Sequence, residues 1–288
     1  MNMVSFATFS FLLLWPTGYI VAVLALPDAG PYTFLAWRYV LASAAMAVLA
    51  VALRARWPAR WTDYGHCAVV GVLVHGIGLG GVWIAINQGL EAGISALVMA
   101  LQPVLTAFLA MVWLGERPDR RTSVGLVLGL LGVVLVVENK LSGELGDPVG
   151  MAINGISVVA LTCGTLYQKR FCPTLDLMTG NAAQLFAAGL FASTMMLMFE
   201  TEPFHWTVAV MTALGWAVLV LSIGATLALY FLLRRGAAAR VASLFYLVPP
   251  LTAVMAWIGF GEALSTPALV GMAVTTLGVA LVVTPRRA

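Results

Sequence analysis

Arg38 is a charged side chain set in an apolar run that extends from Pro31 to about Leu53. An arginine at that depth costs several kcal/mol unless it is paired, and intramembrane charges usually face a cavity. Its guanidinium is a planar fork of donors that matches a carboxylate or another anionic group. The competing reading is an arginine that snorkels to the outer interface, stacked on Trp37 or capping carbonyls. Gln184, 146 residues further on, offers a neutral donor and acceptor at the corresponding depth, or a helix–helix hydrogen bond. His75 sits mid-segment among Gly71, Gly76, Gly78 and Gly80, where it serves as a substrate contact or proton-sensitive gate, or as a neutral interhelical partner. Gln102-Pro103 and Pro249-Pro250 fall inside apolar runs. Proline frees a backbone carbonyl and kinks a helix, which suits both a substrate contact and a hinge. Trp15, Tyr19, Trp83, Tyr167, Tyr230 and Tyr246 add aromatic surface away from the usual interfacial belt, and Trp15, Tyr19 and Tyr246 are expected to enclose an apolar substrate part.

Other chemistry is missing. The 12 Asp and Glu residues all fall in connections or at segment ends, so no buried carboxylate stands ready to carry protons or to hold an organic cation. No nucleophile–base pair and no nucleotide fingerprint is present, so an enzyme is not expected. Cys67, Cys163 and Cys172 have no zinc or CxxC spacing; neither a metal site, a cofactor nor a disulfide is expected.

The elements that must position these residues are membrane helices. Of the 288 residues 61% are hydrophobic and 9% charged, against about 25% charged in a soluble domain. A spanning helix needs about 20 mostly apolar residues. Hydropathy predicts spans near 3–24, 32–53, 65–87, 92–114 and 120–138, then near 149–170, 178–199, 208–231, 236–259 and 266–284. The first run lacks a basic n-region and reads as a retained helix rather than a signal peptide. With both termini in the cytoplasm, all but Arg38 and Lys140 of the 15 Lys and Arg fall on the cytoplasmic side, as the positive-inside rule requires. The small net charge of +3 carries no nucleic-acid message.

Shifted by 146 residues, the sequence matches itself without a gap. Gly18 falls on Gly164, Pro103 on Pro249, and Leu105-Thr106-Ala107 on Leu251-Thr252-Ala253. Gly115-Glu116 falls on Gly261-Glu262, Gly125 and Gly132 on Gly271 and Gly278, and Leu135-Val136-Val137 on Leu281-Val282-Val283. The expected fold is therefore all-α and integral to the membrane: ten transmembrane helices in two five-helix repeats, 1–140 and 147–288, that together form one membrane domain. Five is odd, so the second repeat enters from the opposite face. Inverted repeats enclosing a midplane site are a transporter architecture that works by alternating access.

Trp15-Pro16-Thr17-Gly18 resembles the WGS-type start of the drug/metabolite transporter superfamily, EamA branch. The fourth and ninth helices fit as well, each with a proline followed thirteen residues later by the glutamate of a Gly-Glu pair, as does the small-residue entry Gly93-Ile94-Ser95-Ala96. Position 16 departs from the pattern, with Pro where Gly is usual. The resemblance covers the whole chain and implies a ten-helix carrier, in a group whose members include exporters of amino acids and other metabolites. On that basis we expect a bacterial inner-membrane protein, monomeric, that exports amino acids or similar small carboxylated metabolites. Arg38 would hold the anionic group, with polar contacts from His75, Gln102 and Gln184. Pro16, Pro103, Pro249, Pro250, Gly115, Glu116, Gly261 and Glu262 would be hinges or structural positions, the glutamates capping helix ends or pairing with loop arginines such as Arg117 and Arg120. Two alternatives stand beside this: a broad exporter of drug-like compounds with little use for Arg38, and a non-transporting membrane scaffold or sensor.

Overall fold

The computed structural model describes residues 3–90, 92–136, 148–201, 204–260 and 265–283. Gly261 and Glu262 lie outside the described residues, as do Lys140, Arg286 and Arg287. Helices make up the architecture, and no strand occurs among the described residues. We number the membrane helices in chain order: α1 Met3–Ala25, α2 Pro31–Ala52, α3 Trp61–Asn87, α4 Ile94–Trp113, α5 Arg120–Val136, α6 Pro148–Phe171, α7 Leu177–Phe199, α8 Val208–Arg235, α9 Ala238–Met255 and α10 Thr266–Val283. All but α5 reach 18 residues. The 17 residues described for α5 rise about 25 Å at 1.5 Å each, close to the thickness of the hydrocarbon core. Each half thus has five spans, and the second half is inverted relative to the first.

The 146-residue register extends to local structure. Gly71–Leu79 of α3 is π-helical, and so is Ala217–Ala225 of α8, at the same offset. Helix α5 begins at Arg120 and α10 at Thr266, again 146 apart. The same shift carries α2 onto α7.

Related helices from the two halves pair across the molecule: α2 with α7, and α5 with α10. The α5–α10 contact is backbone on backbone. A Cβ added at Gly125 would stand 2.6 Å from the carbonyl oxygen of Gly278, and one at Gly271 would stand 2.6 Å from that of Gly132. Small residues at such crossings let helices approach where lipid supplies no hydrophobic drive between them. In the α2–α7 pair, Ser43 donates to the carbonyl of Ala182 at 3.0 Å.

The prolines act one turn upstream of themselves. Helix α4 consists of Ala92–Met99 and Gln102–Trp113, broken at Ala100-Leu101 rather than at Pro103. Helix α9 runs Ala238–Ala242, then a 3-10 turn Ser243–Leu247, then Val248–Phe260. A proline ring displaces the carbonyl of residue i−4. Those carbonyls belong to Met99 for Pro103, and to Phe245 and Tyr246 for Pro249 and Pro250, which is where each helix gives way. Pro16 ends Met3–Leu14, and the chain restarts at Thr17–Ala25 through the three-residue turns Gly18 N–H to Trp15 O (3.1 Å) and Tyr19 N–H to Pro16 O (3.3 Å).

Candidate substrate-binding site

The breaks in α1, α4 and α9 meet around a narrow central cavity of about 60 Å³. Helix α1 contributes Trp15, Gly18 and Tyr19, α2 contributes Arg38, and α3 contributes Leu79, Val82 and Trp83. Met99 and Ala100 come from the α4 break, Leu221 and Thr226 from α8, and Phe245 and Pro249 from α9. Trp15 meets Phe245 edge-on, centroids 5.2 Å apart and planes at 84°, while Trp83 stacks on Phe34 at 4.7 Å.

Arg38 is 4% exposed. Its Nε donates to Ser222 Oγ at 2.9 Å, and its guanidinium carbon stands 5.3 Å from the Tyr39 ring centroid. The side chain therefore points into the bundle toward α8. Trp37 faces the other way, 43% exposed and packed on Trp206. That geometry corrects the reading of Arg38 as an arginine snorkelling beside Trp37.

The two π stretches hold the site from opposite halves. A π turn bonds i to i+5 and often marks functional sites. A side chain bonds one carbonyl in each stretch. Tyr39 of α2 donates its hydroxyl to the carbonyl of His75 at 2.9 Å, and Asn181 of α7 donates Nδ2 to the carbonyl of Ser222 at 3.1 Å. Ser222 is thereby fixed through its backbone while its hydroxyl anchors Arg38.

Of the candidate residues singled out in the sequence, Arg38, Trp15, Tyr19, Trp83 and Pro249 line the cavity. His75 is fully buried beside it, its ring 5.6 Å from that of Tyr39 and its Nε2 3.4 Å from the Tyr230 hydroxyl. Gln184 donates to Gln168 Oε1 at 2.8 Å, linking α7 to α6. Gln102 is buried, and its Oε1 has no hydrogen-bond partner among the described residues. Tyr246 is fully buried against Gly129 of α5, away from the cavity, and its neighbour Phe245 takes the lining position instead. The 3-10 turn advances 120° per residue rather than 100°, which is enough to rotate one aromatic out and the other in. Ser222, Asn181 and Phe245 were not singled out from the sequence. A serine in an apolar span was the one available signal for the first.

Beyond the cavity, one end of the bundle is cross-linked. Gly115 has φ +69°, a conformation that favours glycine, and it turns the chain so that Glu116 faces inward. Glu116 Oε1 pairs with Lys169 Nζ at 2.5 Å, and Oε2 accepts from Ala238 N–H at 2.8 Å. Lys169 also donates to the carbonyl of Gly236 at 2.7 Å, and Arg170 to that of Trp113 at 2.6 Å. Glu116 thus caps the start of α9, one of the roles expected of it, but its ionic partner is Lys169 on α6, two helices along the chain from α4, rather than Arg117 or Arg120, because the chain reversal at Gly115 aims the carboxylate across the bundle. At the opposite end Glu200 accepts from the backbone N–H groups of Tyr32 (2.6 Å) and Thr33 (2.7 Å), capping α2 from α7.

The EamA-like transporter family model matches this chain twice, over residues 3–138 and 150–284. The chain belongs to the EamA-like transporter family. The two matched segments divide it where the internal repeat does. The transporter is 26% identical over 277 residues to the "Uncharacterized inner membrane transporter YedA" of Escherichia coli (strain K12), covering 96% of this chain and 89% of that one. It is 28% identical over 257 residues to the "Probable terminal-alkyne amino-acid exporter" of Streptantibioticus cattleyicolor, covering 85% and 81%. A solved crystal structure shares the fold, with TM-score 0.77 at 20% identity over 98% of this chain and 97% of that one. The protein is an integral membrane transporter of a small molecule, which replaces the scaffold or sensor alternative.

Proposed function

We propose that this transporter exports amino acids or similar small carboxylated metabolites across a bacterial inner membrane. Transport proceeds by alternating access as a monomer, with residues 1–140 and 147–288 as the two halves and both termini in the cytoplasm. One observation carries the substrate class. Arg38 is buried at the cavity with one side-chain hydrogen-bond partner, the neutral Ser222, so its charge is uncompensated among the described residues. An unpaired buried charge costs several kcal/mol, and a bound carboxylate removes that cost. Trp15, Trp83 and Phe245 supply apolar surface for the remainder of the substrate. The names of relatives are consistent with this reading, one being an amino-acid exporter and another an inner-membrane transporter.

Efflux of labelled carboxylated metabolites from proteoliposomes tests it, wild type beside Arg38→Ala. Loss of about tenfold or more in kcat/KM in the variant is expected for removal of a charged hydrogen-bonding partner. Normal transport with unchanged affinity in the variant sinks the assignment. The aromatic lining also favours a second reading, a broad exporter of drug-like compounds. Inhibition by many unrelated apolar compounds, but not by carboxylates, would select it.

A further inference from the structure

We infer that the cavity selects apolar monocarboxylates without a free ammonium group, such as N-acylated amino acids, 2-oxo acids or arylalkanoic acids, over zwitterionic amino acids. The inference rests on the proposed role of Arg38 as the carboxylate partner and narrows the proposed class at that same site, from amino acids and similar carboxylates to those whose amine is acylated or absent.

Charge balance is the first argument. Among the described residues that line the cavity, Arg38 is the one ionic side chain, and no carboxylate joins it. The other acidic residues in the described structure lie at helix ends or connections: Glu116 pairs with Lys169, Glu200 caps the start of α2, Asp28 bonds Thr207, Asp119 and Asp176 accept from nearby backbone N–H groups, and Asp63 sits in the first turn of α3. A bound monocarboxylate brings the cavity to neutrality. A bound zwitterion leaves it at +1, with an ammonium taken out of water and given no counter-ion. Burying an unpaired charge is costly even where hydrogen bonds soften the penalty.

Hydrogen-bond polarity points the same way. The polar side-chain groups of the lining are mostly donors: the Arg38 guanidinium, the indole N–H groups of Trp15 and Trp83, and the Tyr19 hydroxyl, which also accepts. Thr226 spends its hydrogen on the carbonyl of Leu221 at 3.1 Å. A keto or acyl carbonyl beside the carboxylate suits such a wall. An ammonium carries three donors, and among the lining side chains it meets acceptors only in the hydroxyl oxygens of Tyr19 and Thr226.

The test is equilibrium binding to the purified full chain in detergent, read by tryptophan fluorescence, since Trp15 and Trp83 border the site. Three probes share one side chain: N-acetylphenylalanine, phenylalanine and phenylalaninamide. N-acetylphenylalanine is expected to bind about tenfold or more tighter than phenylalanine, the scale of discrimination by a site that leaves a polar group unpaired. Arg38→Gln, with an unchanged melting temperature without ligand, should lose that binding. Phenylalanine binding as tightly as, or tighter than, its acetylated form overturns the exclusion of the amine while leaving the carboxylate reading intact. Binding of phenylalaninamide alone, or of none of the three, overturns both.

Discussion

Ser222 illustrates how a small residue governs a larger one. Asn181 holds its carbonyl, the π stretch Ala217–Ala225 presents its hydroxyl, and the hydroxyl holds Arg38 at Nε. Among the described residues no hydrogen bond is made by the two terminal guanidinium nitrogens, and in the proposed reading these meet the carboxylate. Ser222→Ala should therefore weaken carboxylate binding about three- to tenfold, the net worth of one ordinary hydrogen bond, since Ser222 acts on the ligand only through Arg38, and raise KM with little change in kcat. Ser222→Thr, which keeps the hydroxyl, should recover most of the loss. Equal defects in both variants would mean that packing, not the hydrogen bond, is what position 222 supplies. Arg38 was legible in the sequence because a charge in an apolar run is conspicuous. Its anchor was not, because a serine in such a run is ordinary and the partnership spans 184 residues. Tyr246 and Phe245 show the remaining difficulty: both were visible as aromatic, but which one faces inward depends on a local helix type that neighbouring prolines impose.

At the scale of elements, hydropathy located every span to within a few residues, and the 146-residue self-match revealed the halves. The π stretches of α3 and α8 were not legible. These helices are apolar on nearly all sides, so there is no amphipathic period from which a change of helical pitch can be read. The glycine crossings were legible as close-packing sites but not as to partner: Gly125 meets Gly278, on the helix 146 residues along. Gly278→Ala should destabilise the α5–α10 pair by about 1–3 kcal/mol, because its Cβ would lie 2.5 Å from the Gly129 nitrogen. Gly155→Ala on α6 has open space around its Cβ and is the control. It should raise stability by about 0.5–1 kcal/mol, as for any helical glycine replaced without strain. Melting temperatures in detergent would distinguish them, and two shifts of the same sign would contradict the assignment of the α5–α10 crossing.

The molecule as a whole is held unequally at its two ends. Glu116 and Lys169 tie the end of α4 to α6 and, through Gly236 and Ala238, to the α8–α9 connection. Their side chains are 26% and 19% exposed, intermediate between a surface pair worth little and a buried one whose rupture costs several kcal/mol. Lys169→Met should open this end more often. With Cys67, Cys163 and Cys172 replaced, a cysteine placed at Ala100 should then react with a hydrophilic maleimide from that side roughly tenfold faster, as expected for loss of about 1.4 kcal/mol. Exchanging the two charges, Glu116→Lys with Lys169→Glu, should return the rate toward that of the wild type. An unchanged rate in Lys169→Met would show that the pair does not hold the end shut.

A duplicated chain with perfect internal symmetry would have two resting states of equal energy, related by a twofold rotation in the membrane plane, one open to each face. Here the residue 146 positions before Lys169 is Val23, which has no charge to offer a glutamate. Lys169 is one of the side chains that lift the degeneracy. An empty carrier biased toward a single face spends most of its time waiting on that side, so the direction in which cargo is met most readily is written into the place where the two copies of an ancestral half have ceased to agree.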